Sequence, residues 1–162
     1  MHESNLWAAW TLRSHDALTV ALPSGLGLRD AAALTLINSH EDCSADWLWA
    51  RIGLTQSGTV RLLDRLEGLG YLARGRSGRS VRLRVLPAGQ EVLETWNQAR
   101  EVASREAMSG LSSEQRAELA ALLAQGLRHT ERGRVEADRT CRLCDWPACS
   151  TKCPVDESVQ EP

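Results

Sequence analysis

At 162 residues the chain has room for one domain with an appendage and a real core, and no run of eighteen apolar residues marks a membrane span. Its formal net charge of −2 says little until it is divided along the chain: residues 1–50 carry two Arg against six acids, residues 51–86 eight Arg against two acids, and residues 87–162 nine bases against thirteen acids. No basic-then-apolar leader, P-loop, nucleophile elbow, zincin motif or dinucleotide-binding glycine pattern is present, which points to a cytoplasmic protein that is not an enzyme.

Ser4 offers a cap for a first helix over about 5–21, with Leu6, Trp10, Leu18 and Leu22 among its apolar positions, before Pro23-Ser24-Gly25 breaks it. A second helix fits about 29–39, from Arg29 through Leu34 and Ile37. Ser44 caps a short third helix through Trp47, Leu48 and Ile52, which stops at Gly53, a residue free to take the left-handed conformation of a tight turn. Thr55 caps the next helix, about 56–68, whose inward stripe is Thr59, Leu62, Leu63, Leu66 and Leu69, with Arg61 and Arg65 elsewhere on its surface. Short helix, glycine turn and second helix with exposed Gln and Arg form a helix-turn-helix pattern.

Tyr71 to Arg74 and Ser80 to Leu86 read as strands around the basic tip Gly75-Arg76-Ser77-Gly78-Arg79, a hairpin wing. Pro87 suits the first turn of a long helix, about 88–109, lined by Val92, Leu93, Trp96, Ala99 and Ala103. Ser112-x-x-Gln115 is a capping box for a last helix, about 113–131, lined by Leu119, Leu122, Leu123 and Leu127. Residues 132–140 are charged and poor in apolar side chains, which suits a linker, and the acidic residues 155–162 are expected to fray. The fold class is therefore mainly α with a small β-hairpin wing. The eight Arg of residues 51–86 fall on the helix-turn-helix and wing, where a surface that contacts phosphate backbone needs them.

The stretch Ile52-Gly53-Leu54-Thr55-Gln56-Ser57-Gly58-Thr59-Val60-Arg61, then Gly70-Tyr71-Leu72-Ala73-Arg74, Gly78-Arg79-Ser80-Val81-Arg82-Leu83-Arg84 and Pro87-Ala88-Gly89, resembles the signature of the MarR family of winged helix-turn-helix transcription regulators. The likeness covers roughly residues 4–131, with Trp49, Ser77 and Leu86 departing from the usual pattern. It implies a homodimer with an N-terminal dimerisation helix in 1–28, a DNA-binding lobe in 29–87 and C-terminal dimerisation helices in 88–131, reading a pseudo-palindromic operator in double-stranded DNA. By position, Gln56, Ser57, Thr59, Val60 and Arg61 are its candidates to face DNA: Arg61 suits guanine, Gln56 an adenine edge, and Ser57 and Thr55 phosphates, while Thr59 also sits on the inward stripe. Arg79 is the candidate for the minor groove, with Arg76 and Arg74 on the backbone. Arg65 is a further DNA candidate, or a partner of Asp64 or Glu67, or a tie to the wing. Trp7, Trp10 and Trp96 either anchor the partner chain or fill the core. The family's usual small aromatic or lipophilic effector is a further expected partner.

Beyond this likeness, the tail 132–162 holds Cys141-x2-Cys144-x4-Cys149-x3-Cys153 followed by Pro154. Four thiolates in so short a run read as the ligand set of one metal centre, favoured where cytosolic thiols stay reduced. Zinc ribbons usually separate two C-x2-C knuckles by roughly 12–20 residues. The bacterial ferredoxin run C-x2-C-x2-C-x3-C-P is closer: here the x2 step, the x3 step and the Cys-Pro are kept and the middle gap is lengthened. An iron–sulfur cluster, of the 4Fe-4S type, is the expected cofactor; zinc and a thiol or disulfide device are the alternatives. Cys43 is read either as a small buried hydrophobe or as a thiol switch.

Three functions remain in play. One is a DNA-binding regulator, as a repressor, controlled by a cluster that senses redox balance, oxygen, nitric oxide or iron. A second is a regulator with a structural zinc tail that answers to an organic ligand. The third is an electron-transfer or metal-trafficking protein, which has no need of a basic helix-turn-helix and wing.

Overall fold

The computed structural model describes residues 2–77, 80–149 and 152–160. Helix α1 runs His2–Val20, two residues ahead of the expected Ser4 cap, and none of its residues is buried. Helix α2 (Leu28–Ser39) is the opposite: Asp30 through Ile37 are all buried, so this helix is enclosed on every side and carries no polar stripe. Its first turn is closed by the Asp30 carboxylate, which accepts from the Gly27 N–H at 2.8 Å.

Helices α3 (Ala45–Ile52) and α4 (Gln56–Gly68) form the expected pair. The Ser44 hydroxyl accepts from the Trp47 N–H at 3.1 Å, and the Thr55 hydroxyl from the Gly58 N–H at 3.1 Å. Between them Gly53 takes φ 68°, the left-handed corner that lets the chain turn without a Cβ clash. Strands β1 (Leu72–Ser77) and β2 (Ser80–Val85) pair antiparallel in the register Leu72 to Val85 through Ser77 to Ser80. The Leu83 N–H also donates to the Cys43 carbonyl at 2.9 Å, which stitches the wing to the loop before α3.

Helix α5 (Pro87–Ala107) starts with Pro at its first turn, where a missing N–H costs nothing. Gly89 lets α5 lie against the wing, since a Cβ there would overlap the Tyr71 carbonyl oxygen. The Ser112–Gln115 capping box opens α6 (Ser113–His129). The core gathers α2, the inner stripes of α3 and α4, Leu72, Leu83 and Val85 of the wing, and Leu93 and Trp96 of α5. Trp96 is fully buried and belongs to this core, whereas Trp7 is 71% exposed. With Leu6 and Leu12 of α1 and Leu122 and Leu123 of α6 also in water, each exposed leucine forgoes about 1.5–3 kcal/mol of burial. No described helix is long and apolar enough to cross a membrane.

The tail departs from the sequence expectation in two places. Residues 134–140 form helix α7 (Arg134–Thr140) and not a linker, because Ala137 and Asp138 are buried. The segment 155–160 does not fray: Val155 and Ser158 are buried, the Arg132 guanidinium donates to Ser158 Oγ at 2.6 Å, and Gln160 N–H reaches the Arg132 carbonyl at 3.1 Å. A short helix α8 (Trp146–Cys149) and a 3-10 turn (Asp156–Ser158) complete the module.

Candidate nucleic-acid interface and cysteine cluster

Gln56, Ser57, Val60 and Arg61 lie exposed on the first two turns of α4, the end that a helix-turn-helix offers to a major groove. Arg61 makes no ion pair among the described residues. Thr55 stands at the cap, its hydroxyl 3.3 Å from that of Ser57. Thr59, in contrast, is only 1% exposed and its hydroxyl donates back to the Thr55 carbonyl at 3.0 Å, so it faces the core.

Two of the arginines expected to face DNA are engaged within the lobe. Arg65 pairs with the buried Asp30 of α2 and not with Asp64 or Glu67, bracing α4 against the enclosed helix. Arg74 donates to Asp64 at 2.7 Å and lies 3.6 Å from Glu67, which itself accepts from the Arg74 N–H at 3.1 Å. These contacts fix the wing to the recognition helix. Arg76 sits in β1 opposite Val81, and Arg79 lies outside the described residues. Arg82 and Arg84 of β2, counted in the basic stretch 51–86, meet the carbonyl and carboxylate of Asp42 at 2.9 and 3.4 Å. Nothing local signals that pairing, because Asp42 is in the loop before α3.

The four cysteines come together. Cys141, Cys144, Cys149 and Cys153 line one cavity of about 210 Å³, with Arg134, Trp146 and Asp156 on its rim. Cys141 ends α7, the Cys144 N–H returns to the Cys141 carbonyl at 2.9 Å, Cys149 ends α8, and the Cys153 carbonyl accepts from Glu157 N–H at 3.0 Å. Among the described residues no group of three or more His, Cys, Asp or Glu side chains converges to hold a single metal ion.

The thiols differ in acidity. A hydrogen bond from Cys141 lowers the Cys144 thiol to about 7, aided by the charge of Arg100 and opposed by burial. That same bond, with burial and the neighbouring sulfurs, pushes Cys141 up. Burial raises Cys149, with Cys153 beside it. Cys43 lies apart, buried and raised to about 11 by desolvation, which fits the inert buried hydrophobe.

The module is seated on the helix-turn-helix. Arg51 at the end of α3 donates through Nε to Asp138 of α7 at 2.6 Å, in a site where both residues are buried. Its Nη1 donates to the Trp47 carbonyl at 3.0 Å, and its guanidinium lies 4.0 Å over the Trp47 ring. His40 stands between Trp47 and Trp146, with ring centroids 4.5 and 4.8 Å away. Arg134 lies 3.2 Å from the second oxygen of Asp138 and donates to Asp156 at 2.6 Å, while Arg100 of α5 donates to the Leu143 carbonyl at 2.9 Å. Apart from the one-turn pairs Arg51–Trp47 and Arg134–Asp138 and the neighbouring His40–Trp47, these partners lie far apart in sequence, so no motif reveals them.

A mostly helical chain with a two-stranded wing packed on its recognition helix is a winged helix-turn-helix, and its fold matches that of MarR structures. Residues 24–82, the lobe that holds α2 to β2, match the sequence model of the MarR family. The chain is similar to the oxidised form of MarR from E. coli, with 21% identity and a TM-score of 0.66 over 76% of this chain and 93% of that one. It is also similar to the Mycobacterium tuberculosis MarR family protein Rv2887 in complex with p-aminosalicylic acid, with 21% identity and a TM-score of 0.63 over 75% and 95%. Bordetella bronchiseptica BpsR, whose DNA binding is regulated by 6-hydroxynicotinic acid, aligns at 18% identity and a TM-score of 0.61 over 77% and 98%. No curated protein matches the chain.

Proposed function

We propose that this chain is a homodimeric, sequence-specific DNA-binding transcription regulator, acting as a repressor, whose operator binding is governed by an iron–sulfur centre held by Cys141, Cys144, Cys149 and Cys153. The observation that carries this reading is the cavity lined by all four cysteines, docked on α3 through the buried Arg51–Asp138 pair. The match of residues 24–82 to the MarR family and the exposed Gln56, Ser57, Val60 and Arg61 support the DNA-binding half.

The donor set suits the cofactor. Four soft sulfurs line one cavity from three short segments, and the Cys144 thiol is held below its ordinary value, towards the ionised form in which sulfur ligates metal. Sulfurs that surround a cavity of about 210 Å³ leave room for a 4Fe-4S cluster, a group larger than one zinc ion and held by four cysteine thiolates. When bound, the cluster supplies an oxidant-labile tie among those segments.

The chain's own residues do the rest. Cys141 is the last turn of α7, so restraint at its sulfur fixes Asp138 one turn earlier, and Asp138 holds Arg51 at the end of α3. The turn at Gly53 follows two residues later and sets where Thr55 and Gln56 begin the recognition helix. Release of the cysteines loosens α7 and shifts the dimer away from the spacing that fits an operator, a two-state bias. The unburied α1 and α6, with exposed Trp7, Leu122 and Leu123, are the surfaces a second copy covers.

The test is iron, sulfide and zinc content of protein purified without oxygen, with operator binding compared between the parent and Cys144→Ser. Iron and sulfide in the parent, with weakened or deregulated binding in the variant, are expected. One zinc per chain would make the tail a structural clip. The signal would then be an organic ligand, for which a cavity of about 560 Å³ between α2, α5 and the tail offers Asn38, Gln90, Asn97, Arg100 and Trp146.

A further inference from the structure

We propose that the cysteine module is itself part of the DNA-binding surface: Arg139 and Arg142 extend the edge of the helix-turn-helix and bind phosphates of the duplex that α4 reads. This rests on the DNA-binding half of the proposed function and adds a contact surface beyond the recognition helix and wing.

The placement comes from the docking of α7 on α3. Arg139 Nη2 lies 3.7 Å from the position a Cβ would take at Gly53, the corner between α3 and α4. Thr55, which caps the recognition helix, is two residues further on. A helix-turn-helix seated in a major groove lays its first helix across the phosphate backbone and the N-terminal residues of its second against the base edges, so the corner between them stands close to the backbone. A guanidinium beside the corner is therefore carried to the same strand.

The chemistry agrees. Arg139, Thr140 and Arg142 are exposed and line an open cleft of about 410 Å³ with Thr130, Glu131 and Glu136. Neither Arg139 nor Arg142 is in an ion pair with those acids among the described residues, whereas Arg51, Arg65, Arg74, Arg84, Arg128 and Arg134 are all paired. The Arg142 side chain donates to the Arg139 carbonyl, which holds the Arg142 guanidinium at the end of α7 that carries Arg139. Two unpaired cations continuous with the helix-turn-helix edge fit a polyanion with regularly spaced charges. Loading of the cysteine site would then govern whether these cations are presented to DNA.

The experiment measures binding of a mixed-sequence DNA duplex to the full chain by fluorescence anisotropy across a salt series. Arg139→Gln and Arg142→Gln are compared with the charge-matched surface variant Arg105→Gln and with Arg139→Lys. Each lost phosphate contact lowers the log–log salt slope by about 0.9. The expected result is shallower slopes for Arg139→Gln and Arg142→Gln, with Arg105→Gln and Arg139→Lys parallel to the parent. Slopes for Arg139→Gln and Arg142→Gln indistinguishable from that of Arg105→Gln, in a chain that binds DNA, overturn this inference and leave the proposed function standing. A parent chain that binds no duplex overturns both.

Discussion

Arg51 and Asp138 are 87 residues apart in sequence and meet at 2.6 Å in a buried ion pair that joins the helix-turn-helix to the cysteine module. Taking two charges out of water is costly, and the pair is compensated by the Trp47 carbonyl and ring on one side and by Arg134 on the other. Removing one partner strands the other. Asp138→Ala should therefore cost about 3–5 kcal/mol in chemical denaturation, whereas the double change Arg51→Met with Asp138→Leu should stay near parent stability. If the pair also transmits the state of the cysteine site, the double variant should bind DNA with an affinity indifferent to iron. Iron dependence equal to the parent's would show that the signal takes another route.

Arg61 and Arg74 should behave differently although both lie on the basic lobe. Arg61→Ala should cost about 1–3 kcal/mol of specific operator affinity and relax base preference at one position, because its side chain is exposed and makes no ion pair among the described residues. Arg74 is already bound to Asp64 and Glu67. Its replacement should show first in a loosened wing, as faster amide exchange in β1 and β2. Equal losses of base preference from the two variants would refute this division of labour.

Gly89 should be intolerant of any side chain. A Cβ there meets the Tyr71 carbonyl and stands 2.8 Å from Val85 Cγ1, so α5 must back away from the wing. Gly89→Ala should cost about 1–3 kcal/mol, the usual scale of overpacking, even though alanine is the better helix former. A melting temperature at or above the parent's would mean the close approach is absent in solution.

Leu122→Glu combined with Leu123→Glu should convert the proposed dimer to monomer in sedimentation velocity and leave the monomer's fold intact. Both side chains are more than half exposed in the single chain, so the charges trouble nothing within it. An unchanged dimer would place the partner elsewhere.

Cys43 should make stability fall in alkali. Its folded thiol ionises near 11 against an ordinary value of 9.0, so the neutral form is favoured by folding. The contribution is fully present below pH 9 and is lost as pH rises to about 11, at about 1.4 kcal/mol per pH unit in between. Cys43→Ala should flatten that part of the pH profile, and the native thiol should resist alkylation near neutrality. Rapid modification of the folded protein at pH 7 would restore Cys43 as a switch.

Local signals carried much of the fold. Ser44, Thr55 and Ser112 bond backbone groups three residues away, and Gly53 needs only its own φ, so each could be placed from a short window. Contacts that depend on packing could not. Arg65 finds Asp30 and Arg51 finds Asp138 only once α2, α3, α4 and α7 have assembled. Helix α7 looks like a linker in sequence because one of its two buried residues is a carboxylate, which carries no apolar signal. The cysteine spacing is enough to set all four side chains on one cavity, since turns of two to four residues keep sulfurs close wherever the module sits. Its seat on α3 left no trace in the spacing.

The position of Trp146 gives the protein a built-in optical gauge. Its indole borders the cysteine cavity, donates to the Cys141 carbonyl at 3.0 Å and faces His40, which in turn faces Trp47. An absorbing centre among those sulfurs would drain the emission of Trp146, at the rim of the cavity, by energy transfer. The loss of tryptophan emission then reports the occupancy of the tail in a single cuvette, without a label.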